Sequence, residues 1–208
     1  MPDCGAGRIL ARMRPRLIAC LFALALVAPP ARAGDAAAAR WTFDPQLLLA
    51  RSEAVIVHAP DASLDQLFQA VAEAARAPGE RRAMCALFEP RARRDLAAIN
   101  HAALQFGSAS QRRFQSATDA LLAAADGPVQ PWDRALAERA LRQAAVTAAM
   151  LHDGFVAALN GQGSDAASRQ ARCRALHQLL DALSMRPMRE RAMVTRLLMR
   201  EGLRRIDR

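Results

Sequence analysis

The chain has 208 residues and a formal net charge of +9, and its 29 basic residues are all arginine. Residues 1–33 hold five of those arginines and one acid, which leaves 24 arginines against 19 acids downstream. A surplus of +5 is a weak argument for nucleic acid.

The N-terminus reads as an address. Arg8, Arg12, Arg14 and Arg16 precede an unbroken apolar run, Leu17 to Ala28, which Pro29-Pro30 ends. Ala31-Arg32-Ala33 follows as an A-x-A cleavage site, so the order is that of a secretory signal peptide cut after Ala33. Twelve apolar residues are too few to cross a bilayer, which needs about 20. Cys20 sits near the start of the apolar run, whereas a lipidated cysteine follows it. The signal pattern is complete from either Met1 or Met13 as the start. The expectation is a mature chain from Gly34 that is periplasmic or secreted.

Residues 34–43 are an Ala-rich leader, and 44–208 read as one α-helical domain, an antiparallel bundle of about seven or eight helices. Ala, Leu, Arg and Gln dominate, and these are strong helix formers. Asp44-Pro45 caps and opens a first helix to about Val57, which His58-Ala59-Pro60 breaks. Ala54 to Val57 is the best strand candidate, and it is short. Asp61 or Ser63 caps the next helix, with Leu64, Leu67, Phe68, Val71 and Ala75 at helical spacing. Pro78-Gly79 is expected to stop it. A short helix from Glu80 to Phe88 ends at Pro90, and another carries Leu96, Ile99, Ala103 and Phe106 to Gly107.

Ser108 or Ser110 restarts helix, with Phe114, Ala117, Leu121 and Ala124 inward, until Asp126-Gly127-Pro128. Asp133 caps what reads as the longest helix, to about Asn160, with Leu141, Ala144, Ala148, Leu151, Phe155 and Leu159 on one face. Gly154 falls inside it, at a cost of about 1 kcal/mol relative to Ala. Gly161-Gln162-Gly163 is a turn, Asp165 caps a helix to about Ser184, and Pro187 opens the last one. No internal repeat at a fixed period is visible.

Two cysteines remain after processing. Cys85 and Cys173 both lie on apolar helical faces, and an even count in an oxidising compartment predicts a disulfide between them. Their separation and lack of nearby histidines match no zinc pattern, so no metal and no cofactor is expected.

Catalytic constellations are missing. His58, His101 and His177 read as loop, solvated and boundary residues. His152 is beside Asp153, but neighbours on a helix point about 100 degrees apart, so Asp153 does not orient the imidazole. The serines occur in no nucleophile elbow, and Gly161-Gln162-Gly163-Ser164 lacks the lysine and the strand of a phosphate loop. No catalytic residue is named.

Charge position stands out. Residues 186–208 hold eight arginines and three acids, so the whole downstream surplus sits there. Arg189, Arg196, Arg200 and Arg204 recur on one helical face and read as a surface for an anionic partner. The solvated alternative is a last helix whose arginines meet the C-terminal dipole, with Glu201 pairing along it. The expected function is therefore non-enzymatic: an exported protein that binds another macromolecule in the cell envelope as inhibitor, immunity protein, chaperone or assembly factor. A protein partner comes first, anionic lipid second, and nucleic acid is not expected. A carrier of a small apolar ligand between helices, and a hydrolase whose site is invisible in sequence, are the alternatives.

Overall fold

Among the described residues, helix-forming composition is realised as helix in every long stretch. The structure is a computed structural model and describes residues 45–86, 89, 92 and 96–204. The expected leader with its cleavage after Ala33, the stretch 34–43, Asp44 and Phe88 lie outside these residues, as do the side chains of Leu96 and Ile99. Among the described residues there are nine helices and no strand. They are α1 (Pro45–His58), α2 (Asp61–Arg76), α3 (Pro78–Ala86), α4 (Leu96–Ala103), α5 (Ser108–Ala123), α6 (Arg134–Leu151), α7 (Phe155–Asn160), α8 (Ala166–Ser184) and α9 (Met188–Leu203). None of them is long and apolar enough to cross a membrane.

The all-α reading holds, with four local corrections. The cap expected from Asp61 or Ser63 is not made: Pro60 precedes α2, and no side chain caps it. Ala54 to Val57 is helix, inside α1. Pro78 opens α3 rather than stopping α2, because proline lacks only an N–H that the first helical turn leaves unpaired anyway. The long helix expected from Asp133 to Asn160 is two helices: α6 stops at Leu151, and Gly154 is left-handed at φ +75° before α7 begins. The chain turns there so that Phe155 and Leu159 reach the core along α8, while Leu151 is left 62% exposed.

Gly154 is thus a conformational requirement, not a weak point in a helix. Gly154→Ala should lower stability by about 1–2 kcal/mol, the cost of a left-handed L-residue, read as a fall in Tm. A raised Tm, as Gly→Ala produces inside a helix, would mean that α6 and α7 are continuous.

α2 is the central helix. Leu64, Leu67, Phe68, Val71, Ala72 and Ala75 are buried among the eight buried residues of its sixteen, and α9, α5, α3 and α8 pack around it. Its polar residues are tied outward to those neighbours. Asp65 accepts two bonds from Arg191 of α9, at 2.6 and 2.9 Å. Gln66 donates to Ser116 Oγ at 2.9 Å, and Glu73 pairs with Arg113 at 2.6 Å, both on α5. Arg76 donates to Asp181 of α8 at 3.0 Å. A planar fork on a carboxylate fixes orientation as well as energy, and Arg191 also lies over the Phe68 ring at 5.8 Å.

These ties set the direction of the chain. Asp65 meets Arg191 and Arg76 meets Asp181, so α2 runs antiparallel to α8 and α9 together. Arg134 meets Glu201 at 3.0 Å and Gln143 meets Arg186 at 2.6 Å, so α6 runs antiparallel to α9 as well. α8 and α9 follow one another through a bend at Met185-Arg186-Pro187, flanked by α2 and α6. Asp133 caps α6, accepting from Ala135 N–H at 2.7 Å, and Asp165 caps α8, accepting from Ser168 N–H at 2.9 Å. The Ser168 hydroxyl adds a second bond at 2.6 Å, and its donation lowers the Asp165 carboxyl below its ordinary value.

Cys85 and Cys173 form a disulfide with Cα atoms 5.3 Å apart, joining α3 to α8. Beside it the buried Arg172 pairs with Glu89 and donates to Gly163 O at 2.7 Å. This end of α8 therefore holds both the turn before it and the chain beyond α3.

Candidate anionic-partner surface

The four arginines read from sequence as one stripe do share an arc of α9. The structure does not leave them on one surface. The C-terminal end of α1 crosses the arc at its middle, over Arg196. Arg196 is 1% exposed, and its guanidinium donates to Ile56 O and Ala59 O, with Asp61 Oδ1 3.8 Å away. Those carbonyls belong to the end of α1, where the helix has no N–H left to offer. Arg196 is therefore a cap supplied across the fold, and its place in an anionic-partner surface is corrected. Burial pulls its guanidinium below the ordinary arginine value, and Asp61 offsets part of that.

The other three arginines separate. Arg200 is half-buried and lies over the Trp132 ring at 5.5 Å. With Arg204 it lines a small cleft of about 220 Å³ against Ser52 and Glu53 of α1. Arg204 pairs with Glu201 at 3.3 Å, and Glu201 is already paired with Arg134. Arg189, at the start of α9, is exposed like Arg204, but makes no ion pair among the described residues. The last helix packs into the bundle, with Ala192, Val194, Thr195, Leu197, Leu198 and Met199 buried, because α2, α6 and α1 enclose it.

What the fold builds instead is a face across α6 and the start of α9. Arg139, Arg142, Val146 and Met150 follow at spacings of three, four and four on α6, and all are exposed. Arg186 donates to Gln143 on that face at 2.6 Å, which draws the bend between α8 and α9 alongside. Met185, Met188 and Arg189, at and just after that bend, are each exposed. Met150 is 81% and Met185 64% exposed, against the usual burial of methionine. The exposed Asp153 follows Met150 by three residues, and two ion-paired acids lie nearby. Glu190 is paired with Arg186 at 2.7 Å, and Glu138 with Arg134 at 2.8 Å and with Arg142 at 3.7 Å. Arg139 and Arg189 make no ion pair among the described residues. The face is thus basic, with flexible apolar side chains between the charges.

Sequence reading found Arg189 and missed the rest. On one helix, Arg139 and Arg142 look like any solvated pair, and only the packing of α6 against α9 joins them to Arg189.

The histidines are placed apart. His152 ends α6 with extended backbone, and Asp153 beside it is exposed. His101 is exposed on α4, while His58 is the half-buried last residue of α1. His177 Nδ1 lies 3.1 Å from Asp181 Oδ2, one turn on along α8, and that carboxylate also holds Arg76. Among the described residues no three His, Cys, Asp or Glu side chains converge as a metal site.

No protein-family model matches the chain, and comparison with curated proteins and with solved structures finds no match. The functional reading rests on the chain's own geometry.

Proposed function

We propose that this chain is exported and acts without catalysis, binding an acidic protein partner in the cell envelope through the arginine–methionine face of α6 and α9. The observation that carries this reading is the exposure of Met150, Met185 and Met188 among Arg139, Arg142, Arg186 and Arg189. Arg and Met are enriched at protein interfaces. Methionine adapts its shape to a partner surface, and a basic field steers an acidic one. The signal-peptide pattern of residues 1–33 and the Cys85–Cys173 disulfide support export.

The test uses the exported form, with its N-terminus sequenced for a start at Gly34. Envelope proteins bound to it are compared with those bound to an Arg139→Glu/Arg142→Glu/Arg189→Glu variant whose circular dichroism is unchanged. The expected result is one acidic partner whose affinity falls at least tenfold in the variant. The same affinity should fall as salt rises, because exposed charges are screened. An anionic-vesicle arm checks the lipid alternative. Equal capture by both forms, or binding to vesicles alone, overturns the proposal.

A further inference from the structure

A second feature lies away from that face, between α3 and α4. The two helices turn alanine-rich sides toward each other, with Ala83 and Ala86 on α3 and Ala98 and Ala102 on α4. Alanine walls let helices close to contact, and α3 and α4 do meet over part of their length, yet they leave a trough of about 660 Å³ between them. The reason is on their other sides. Met84 is wholly buried and Cys85 is bonded to Cys173, which hold α3 to the core and to α8. Ala103 and the following Phe106 are buried, with Phe106 stacked on Phe114 at 5.4 Å, which holds α4 toward α5. Each helix is anchored by the side facing away from the trough, so the small side chains leave space rather than closing it. A Cβ added at Gly79, on the same wall of α3, would meet nothing within 4 Å.

The rim is basic. Arg82 on α3 and His101 on α4 both line the trough and are exposed. Arg82 makes no ion pair among the described residues. A guanidinium has five N–H donors, and an imidazole keeps at least one in either protonation state.

We infer that this trough binds a single-chain amphiphile with an anionic head, the apolar chain along the alanine floor and the head between Arg82 and His101. The volume falls in the range of small-molecule sites, about 300–1,000 Å³. Walls of nine and eight residues are about 12–14 Å long, which suits a chain of medium length. The charge complementarity selects the head: a neutral head leaves Arg82 unanswered, and a cationic one is repelled. The trough lies on α3 and α4, apart from the α6–α9 face, so this inference and the proposed partner fail separately.

The test is titration of the intact, oxidised protein with dodecanoate, dodecyl phosphate and dodecanol, read by displacement of a fluorescent fatty acid and by calorimetry. Saturable binding of one anionic amphiphile per chain is expected, with dodecanol at least tenfold weaker. The carboxylate and phosphate arms tell which anionic head is preferred. Arg82→Gln with His101→Gln should remove the preference for the anionic head. Ala86→Trp, at an exposed lining position with little risk to folding, and Gly79→Leu should each fill the trough and reduce affinity at least tenfold. Absence of saturable binding, equal affinity for dodecanol, or binding indifferent to both filling variants would overturn the inference.

Discussion

Arg196→Met lowers the stability of the protein by about 3 kcal/mol, measured as a shift in the denaturant midpoint followed by circular dichroism. Methionine keeps the apolar stem of the side chain but offers no donor to Ile56 O and Ala59 O. Each buried carbonyl left unpaired costs about 1–3 kcal/mol. Relief of the guanidinium's own burial returns part of that, as removing a buried charge does. Arg196→Lys should recover only part of the loss, since a point charge does not reach two carbonyls as a planar fork does. The neighbouring Arg200→Met and Arg204→Met should each cost under about 1 kcal/mol, as more exposed charges do. If Arg196→Met were as mild as these two, Arg196 would be a surface arginine and the four-arginine stripe would stand.

The second large effect concerns the disulfide. Replacing Cys85 and Cys173 together by Ala, or reducing them, should lower stability by about 4–5 kcal/mol. The bridge closes a separation of 88 residues, and the chain entropy it removes from the unfolded state scales with that length. The effect should appear as a lower denaturant midpoint in reductant, with the oxidised protein lighter than the reduced by two hydrogen masses. The α3 and α4 region should loosen first, since among the described residues its hold on α8 is then left to packing and the Arg172–Glu89 pair. Identical midpoints with and without reductant, or free thiols in the exported protein, would remove the bridge from the account of this fold.

Much of the fold is legible in the residues, for local reasons. Asp133 and Asp165 are caps because a short acid before a helical run satisfies the first N–H groups wherever the helix lies. Leu64, Leu67, Phe68, Val71 and Ala75 face inward because the 3.6-residue period assigns them one side. Cys85 and Cys173 are each on an apolar face, and two such cysteines find one another once the faces are buried. Gly154 was legible as an oddity inside a helix but not as a turn. A glycine costs a continuous helix and permits a left-handed corner alike, and nothing local separates the two.

The candidate surface shows the opposite case. Its arginines could be phased around α9, and the arc containing Arg189, Arg196, Arg200 and Arg204 was readable. What covers that arc was not, because the end of α1 lies 137 residues or more away in the chain. Arg139 and Arg142 carried no signal until α6 lay beside α9. Helix content, the caps at Asp133 and Asp165, the cysteine pair and the inward faces follow from the order of residues, since each depends on neighbours within a few positions or on a strong shared preference. Which arginine becomes a buried cap, which meets Trp132 and which stays free depends on which helix end arrives against it. Guanidinium groups look alike in a sequence, and the choice between them is made by the unpaired carbonyls, rings and carboxylates that packing brings within reach.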